Sequence, residues 1–252
     1  AGHSVELFLP DYSALDRRTL ERHDPGSTGQ LEIGWRTFDY SIGEARQRGS
    51  DVSLRLVACP ELFDLPGIYS GDAEESWRYA LLSLAALKAA DERDRPIDVV
   101  HCHDWHTALA AAEMARAPRG GGLAGAKTVL TLHNLAYQGV FGADVADAMG
   151  LADLVSDGHL NLLEAGIRAA DVVTTVSPGY AAEILPAEHG MGLESLLASR
   201  GDRLIGVLTG VDEREWRPAH DDRLPATYSV EDLAGKRVNR AELLRRTGLA
   251  AD

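Results

Sequence analysis

Residues Lys127–Gly142 read KTVLTLHNLAYQGVFG, and this stretch decides the fold. Its apolar, partly β-branched run at 128–132 is typical of a buried strand. The run stops abruptly at His133 and Asn134, which open a loop punctuated by glycine. In an α/β sheet the loops at the carboxyl ends of parallel strands line the ligand crevice, so the stretch predicts a functional edge. A core strand followed by an ordinary polar turn fits the same residues, and the stretch alone leaves both interpretations open.

Strands and helices alternate on both sides of this strand. The pattern predicts strands at Ile97–His101, Asp171–Val176 and Arg203–Leu208, and helices at Thr107–Ala117, Leu160–Ala170, Pro178–Leu185 and Leu193–Ser199. Ser177 is the predicted N-cap of its helix and Pro178 the first helical residue. Short apolar strands that alternate with helices predict a doubly wound, mostly parallel sheet.

The first part of the chain carries a different pattern. Val5–Leu9 is a predicted strand, and alternating polar and apolar residues at Gln30–Tyr40 and Asp51–Val57 predict antiparallel or edge strands. Two prolines and a glycine make a regular element unexpected within Cys59–Gly67. A helix is predicted at Asp72–Ala90, because its apolar residues recur at helical spacing and acidic residues occupy its first turn.

Beyond Val211 the alternation stops. Residues Trp216–Pro225 are predicted to form an extended linker, and Val230–Thr247 a charged helix closed by Gly248.

Composition excludes several classes of partner. The net charge is −14, with 39 acidic against 25 basic residues and no block of Lys or Arg. This balance argues against nucleic acid or an anionic membrane as the main partner, although a small anion bound by local amides stays possible. The sequence has no apolar run long enough to span a bilayer. Two cysteines cannot build a disulfide framework, so a reducing cytoplasm is predicted.

Imidazoles follow two of the predicted strands. Strand alternation sends His101 and His103 to one face and Cys102 to the other, so the three cannot bind one metal together unless the strand has already ended. A zinc site would have to draw on His103, Asp104, His106 and His133, which lack the helical His-x-x-x-His spacing. Core histidines, with Asp104 capping the following helix, are the alternative. No metal or cofactor is predicted.

Taken together, the strand-end motifs resemble one family. The motifs are HCHDWH at 101–106, TLHNLAYQG at 131–139, TVSPGYA at 175–181, GMGL at 190–193, GVLTGVD at 206–212 and CPELFDLPGIY at 59–69. They are similar, in order and over nearly the whole chain, to the amino-terminal domain of bacterial glycogen synthases and plant starch synthases. The string HNLAYQG is the most specific of them.

That resemblance implies a GT-B architecture, in which two Rossmann-like α/β domains face each other. ADP-glucose, or another nucleotide sugar, would be held mainly by the carboxyl-terminal domain, and the growing α-1,4-glucan would approach from the amino-terminal one. The implied reaction transfers glucose to a terminal 4-hydroxyl with retention of configuration and without a metal. Such a site must hold donor and acceptor in near-attack geometry and stabilise the departing phosphate.

The resemblance also implies roles for individual residues. His133, beside the donor glucose, and Asp104, at the adjacent strand end, are the implied catalytic pair. The implied substrate-binding residues are Asn134, Tyr137, Gln138, Trp105, His106 and Thr209. Tyr137 and Trp105 would offer apolar faces to a sugar, although core packing explains either side chain equally well.

The chain departs from the family pattern in several places. The family's first strand and its Lys-Thr-Gly-Gly-Leu loop, which supplies amides near the donor phosphates, would precede Ala1. Residues 1–212 would then form the amino-terminal domain, and residues 213–252 the linker and helix that lead to a donor-binding domain. Thr209 stands where the family has Asn, and Glu164 where Lys is usual. The 252 residues alone are therefore predicted to have no synthase activity.

Other functions stay open from sequence. A GT-B transferase with another sugar nucleotide or acceptor is one, since a fold does not fix a substrate. A non-catalytic glucan-binding or regulatory domain is another. A metal-dependent hydrolase is the least favoured. ADP and UDP donors both stay open, because the residues that would hold the base lie outside these 252 positions.

Overall fold

The computed structural model describes residues 2–49, 52–65, 67–117, 119–213 and 215–250. The chain divides into two compact units, 1–208 and 209–252, so the first unit ends near the boundary predicted at residue 212. Among the described residues, no helix combines the length and apolar character that crossing a bilayer requires.

The first unit begins with four strands and continues with a mixture of strands and helices. Its elements in chain order are β1 (Glu6–Pro10), β2 (Leu20–Ile33), β3 (Arg36–Gln47), β4 (Ser53–Ala58), α1 (Pro60–Phe63), α2 (Glu74–Asp91), β5 (Val99–His103), α3 (Asp104–Arg116), β6 (Lys127–Leu132), β7 (Val140–Gly142), α4 (Ala143–Met149), β8 (Val155–Ser156), β9 (His159–Asn161), α5 (Leu162–Ala169), β10 (Val172–Thr175), α6 (Pro178–Glu183), α7 (Glu194–Ser199) and β11 (Leu204–Gly206).

The carboxyl-terminal half of this unit is built on a parallel sheet of order β11-β10-β6-β5. Strand β6, the strand of the opening stretch, lies between β5 and β10, and its buried residues include Leu130 and Leu132. Helices follow β5, β10 and the loop after β6, as expected for parallel strands that need crossover connections. The predicted doubly wound, mostly parallel α/β sheet is confirmed.

A second sheet has the order β1-β4-β3-β2. Strands β1 and β4 run parallel, whereas β2, β3 and β4 form an antiparallel meander. The alternating run predicted at Gln30–Tyr40 spans the hairpin turn at Gly34 and Trp35, because both arms of a hairpin keep the same period-two pattern. Gly34 has φ +54, and a Cβ there would lie 1.8 Å from the carbonyl oxygen of Ala148, so the turn requires glycine.

Some predicted boundaries are wrong. Cys59–Gly67 contains the one-turn helix α1, because Pro60 sits at its first position, where a missing N–H does no harm. Helix α3 begins at Asp104 rather than at Thr107, and β5 ends at His103 rather than at His101. The pairing of His103 with Thr131 on β6 extends β5 to that residue. Tertiary pairing, which local pattern does not report, sets both boundaries.

The second unit contains α8 (Ala234–Thr247), which ends at Gly248 in the left-handed conformation, φ +71. Asn239 on this helix binds the preceding segment twice. Its Oδ1 accepts the N–H of Ala226 at 3.0 Å, and its Nδ2 donates to the carbonyl oxygen of Ala226 at 2.8 Å. These bonds hold the end of the linker against its helix.

Candidate active site

The carboxyl ends of β5 and β6 lie side by side, and the polar residues after each strand therefore meet. The last pair of the ladder joins His103 to Thr131, two residues before His133. We call this group the strand-end site; it consists of His101, His103, Asp104, His133 and Asn134. This edge of a parallel sheet is the usual place for a ligand.

Asp104 links the two strand ends. Its Oδ1 accepts the backbone N–H of His133 at 2.7 Å and lies 3.5 Å from that of Asn134. The predicted alternative, in which Asp104 caps its own helix, is therefore wrong. Thr107 supplies a local contact at that helix start, because its Oγ1 accepts the N–H of His103 at 2.6 Å.

The backbone of Asp104 is itself strained. Its φ of +52 lies in the left-handed region, which Asp adopts more readily than most L-residues but still at a cost of about 1–3 kcal/mol. A strained residue persists only where surrounding contacts fix it, and such residues cluster at functional sites. The bond to the N–H of His133 is such a contact, so the carboxylate is fixed by the loop that follows β6.

Three imidazoles form a chain at the strand-end site. His101 and His103 stack with ring centroids 4.4 Å apart, and Nδ1 of His103 lies 3.0 Å from Nε2 of His133. On the other side, Nε2 of His101 lies 2.7 Å from Oγ1 of Thr131, which lies 2.7 Å from Oγ1 of Thr174 on β10. The sequence predicted the shared face of His101 and His103, and the structure adds the contact with His133.

The environment disfavours protonation of two of these rings. Partial burial and then the neighbouring His133 lower the pKa of His101. The pKa of His103 is lowered by burial first and then by His101 and His133, while Asp104 acts in the opposite direction. Near neutral pH these rings are therefore uncharged and able both to donate and to accept hydrogen bonds.

The loop after β6 is held by its own polar side chains. Oδ1 of Asn134 accepts the N–H of Ala136 at 3.0 Å, an Asx turn. Nε2 of Gln138 donates to the carbonyl oxygens of Leu135 at 3.2 Å and Met191 at 3.0 Å, and its Oε1 accepts from Asn161 at 2.6 Å. Both polar atoms of the Gln138 side chain therefore take part in hydrogen bonds that hold the loop.

Aromatic residues near this loop occupy different environments. Tyr137 is 66% exposed and presents its ring to solvent. Trp105 is 5% exposed and packs edge-on against Tyr79 with ring centroids 4.9 Å apart, so core packing is the arrangement observed for Trp105. Because Trp105 is the second residue of α3, its side chain points back under the loop rather than out of the edge.

His106 lies in an aromatic enclosure. Its ring stacks on Trp105 at 4.4 Å and meets Tyr79 edge-on at 4.6 Å, with Tyr69 at 5.7 Å. Its Nε2 is buried without a hydrogen-bond partner among the described residues. Burial lowers the pKa of His106, against the smaller opposing effects of Asp104 and Glu75.

The remaining predicted residue, Thr209, is exposed and is the first residue of the second unit. One contact of the loop was missed from sequence. The hydroxyl of Tyr180 accepts the N–H of Leu135 at 3.0 Å. The sequence did carry a signal for this contact. Ser177 caps the helix that follows the neighbouring strand, and its Oγ accepts the N–H of Tyr180 at 2.9 Å. The cap therefore places Tyr180 in the first turn of that helix.

The geometry does not support the zinc site that the sequence left as a disfavoured alternative. Across the described ranges, no group of three or more His, Cys, Asp or Glu side chains could hold a metal ion. Oδ1 of Asp104 is turned to backbone amides, and His106 faces Tyr79. The two facing histidines, His103 and His133, bind each other instead.

The enclosure of His106 predicts a pH-dependent stability. Its pKa is lowered in the folded state, so the unfolded chain binds more protons below about pH 6.5, and stability falls as the pH drops through that value. We expect His106→Phe to raise the free energy of unfolding at pH 6 by about 1 kcal/mol, because it removes a buried unpaired nitrogen. Urea unfolding at pH 8, 7, 6 and 5.5 measures both effects.

His189→Phe is the matched control for that substitution, because His189 is exposed. His101 and His103 have the same sign of pKa shift, so part of the acid sensitivity stays in either variant. Equal loss of stability between pH 8 and pH 5.5 in His106→Phe and in the wild-type chain would contradict the assignment.

Known protein families and individual proteins resemble this chain in sequence. A family model described as the starch synthase catalytic domain matches residues 1–199. The chain belongs to this family. Two glycogen synthases, from Opitutus terrae and Myxococcus xanthus, are each 39% identical to it and align with 100% and 98% of the chain.

A solved structure is similar over the same extent. The catalytic domain of starch synthase IV from Arabidopsis thaliana, bound to ADP and acarbose, matches 99% of this chain with a TM-score of 0.79 and 30% identity. The alignments cover 55% and 54% of the two glycogen synthases and 53% of the starch synthase chain. The chain therefore spans about half the length of the relatives it matches. Its Rossmann-like α/β class as one half of a GT-B architecture is confirmed.

Proposed function

We propose that this chain is the acceptor-side domain of a retaining glucosyltransferase that extends an α-1,4-glucan from ADP-glucose. The observation that carries the proposal is the strand-end site, where the carboxylate of Asp104 holds the N–H of His133 at the edge of a parallel sheet. The family match and the glycogen synthase relatives support the reaction class. The starch synthase that the chain resembles binds ADP and acarbose, which supports a nucleotide sugar and a glucan as substrates.

The proposed transfer exchanges one bond at the donor sugar. The bond between C1 of glucose and the phosphate oxygen of ADP breaks, a bond from C1 to the 4-oxygen of the acceptor forms on the same face, and the hydroxyl proton passes to the departing phosphate. The exposed His133 can bind hydroxyl groups of the donor glucose through its imidazole or its backbone carbonyl. Asp104 acts through the backbone of His133 and holds that residue in near-attack position.

The other predicted binding residues support the proposal unequally. Asn134 and Tyr137 are exposed beside His133 and are free to contact sugar. Gln138 and Trp105 shape the loop from below, and His106 packs behind it. We propose that Thr209 contacts substrate where the family has Asn, with the shorter reach of a hydroxyl group.

We further propose that residues 1–212 work with a further strand and a loop rich in amides. Strands β1 and β5 stand at the ends of their sheets, and Leu7 on β1 and Val99 on β5 are 39% and 50% exposed. A parallel strand added at these edges would bury apolar surface and carry its loop to the strand-end site, where amides bind phosphate. We assign residues 213–252 to the connection toward a donor-binding domain.

A reducing cytoplasm is the compartment that we propose. Both Cys59 and Cys102 are free and buried, and burial raises the pKa of the Cys102 thiol to about 12. Secreted domains form disulfides in an oxidising environment, whereas buried free thiols are typical of proteins in a reducing compartment.

The proposal predicts different activities for the whole protein and for its part. We expect the complete protein to transfer glucose from radiolabelled ADP-glucose to glycogen, and the 252-residue chain alone to give no transfer above background. Digestion of the product by an enzyme specific for α-1,4 linkages identifies the bond. Glucan elongation by the 252 residues alone would contradict the proposal that transfer requires the complete protein.

Three further outcomes of the same assay would change the proposal. Transfer from UDP-glucose but not from ADP-glucose would replace the donor. Transfer to a different acceptor would replace the glucan. Sedimentation of the complete protein with glycogen, without turnover of either donor, would instead make it a non-catalytic glucan-binding domain.

A further inference from the structure

We propose that His103 is a positioning residue for His133, which fixes the tautomer and the ring orientation of that imidazole. The inference rests on the proposed function, because it concerns the residue to which we assign the donor glucose. Nothing in the family comparison assigns this role. It is carried by the contact between Nδ1 of His103 and Nε2 of His133, at 3.0 Å.

A hydrogen bond between two imidazoles makes the nitrogens of each ring unequal. One nitrogen must donate and the other accept, so the contact holds a single proton between His103 and His133. Whichever ring carries that proton, Nε2 of His133 is occupied by the neighbour. Nδ1 is therefore the nitrogen of His133 that can bind a ligand. In the neutral ring Nδ1 is protonated when Nε2 is not, and unprotonated when Nε2 is.

His103 can do this because its own position is fixed. Its ring stacks on His101 with an angle of 26° between the planes, and His101 is held by Oγ1 of Thr131 at 2.7 Å. Thr131 is 9% exposed and meets Thr174 on the next strand. The contact chain thus crosses three adjacent parallel strands, which hold a side chain more precisely than a loop does.

The charges around the pair keep the contact intact near neutral pH. His101 and His133 face His103 and disfavour its protonation, whereas Asp104 favours it, and burial has the largest effect in lowering the pKa of His103. If both rings became protonated, both facing nitrogens would be donors and the bond would be lost.

Multiple-bond ¹H–¹⁵N spectra of protein labelled with ¹⁵N at histidine test the inference. In the wild-type protein at pH 7.5 we expect His133 to show two distinct ring nitrogen shifts, one protonated and one not. In His103→Phe, which keeps a planar ring but removes both nitrogens, we expect averaged shifts from rapid tautomer exchange. His103→Asn, whose amide can still donate to Nε2, should restore part of the difference.

Kinetics give the second measurement. We expect His103→Phe to lower kcat about tenfold with KM within twofold, and to broaden the acid side of the pH profile, because a misoriented group loses reactivity more than affinity. His159→Phe is the control, since His159 is exposed on β9 and its Nδ1 contacts the carbonyl oxygen of Asp157. It should change neither the His133 spectrum nor the rate.

The outcomes separate this inference from the proposed function. An unchanged His133 spectrum in His103→Phe overturns the positioning role, whatever the activity. Altered His133 shifts in a protein that transfers no glucose would support the positioning role and refute the proposed reaction. If His103→Phe does not fold, the wild-type spectrum decides, because averaged ring nitrogen shifts of His133 at pH 7.5 would overturn the positioning role.

Discussion

Replacing His133 by alanine is expected to reduce glucose transfer by the complete protein about 10²- to 10³-fold, the size of effect that follows loss of a polar group at a reacting centre. His133 is exposed, and its imidazole contacts His103 rather than core residues. The thermal unfolding midpoint should therefore stay within about 1 °C of the wild-type value, because substitutions of exposed residues outside the core and outside buried polar networks change stability little. Initial rates at saturating ADP-glucose and glycogen measure the effect.

His159→Ala is the matched control for that substitution. Both histidines are exposed, and the carbonyl contact of His159 with Asp157 lies within its own turn. Wild-type turnover in His133→Ala, with an unchanged unfolding midpoint, would show that the imidazole has no part in the reaction. A loss of turnover equal to that of His159→Ala would lead to the same conclusion.

Replacing Gly139 by alanine is expected to destabilise the first unit by about 2–4 kcal/mol. Gly139 has φ +62, and a Cβ there would lie 2.3 Å from Cε3 of Trp105 and 2.6 Å from its Cδ2. The left-handed backbone contributes about 1 kcal/mol and the overpacking against a buried indole about 1–3 kcal/mol. The unfolding midpoint should fall by about 5–15 °C, which scanning calorimetry measures.

Gly125→Ala separates the two contributions. Gly125 also has positive φ, +80, but a Cβ there would meet nothing within 4 Å. It should therefore lose only the backbone contribution of about 1 kcal/mol. Equal losses in Gly125→Ala and Gly139→Ala would mean that Trp105 moves aside freely and does not support the loop after β6.

The parts of the fold set by local chemistry could be predicted from the sequence. The strand in Lys127–Gly142 and the cap at Ser177 follow from residue type and spacing, and the structure has both. Alternation along a strand correctly placed His101 and His103 on one face, with Cys102 buried on the other. Each of these features depends on residues within about one helical turn or a few strand positions.

The parts set by distant partners could not be predicted. The carboxylate of Asp104 pairs with an amide 29 residues later, and Nδ1 of His103 meets a ring 30 residues later. The start of α3 at Asp104 depends on that pairing, which explains why the pattern of apolar residues placed it at Thr107. The amide of Gln138 similarly binds the carbonyl oxygen of Met191, 53 residues later, a contact that local sequence pattern does not report.

The proposed function requires sugar to bind at the carboxyl ends of β5 and β6. A crystal structure of the complete protein with ADP and acarbose tests it most directly. We expect hydroxyl groups of the bound sugar within 3.2 Å of the imidazole or carbonyl oxygen of His133, with the Asp104 carboxylate still on the His133 N–H. A sugar bound elsewhere, with the strand-end site in contact only with solvent, would contradict the account.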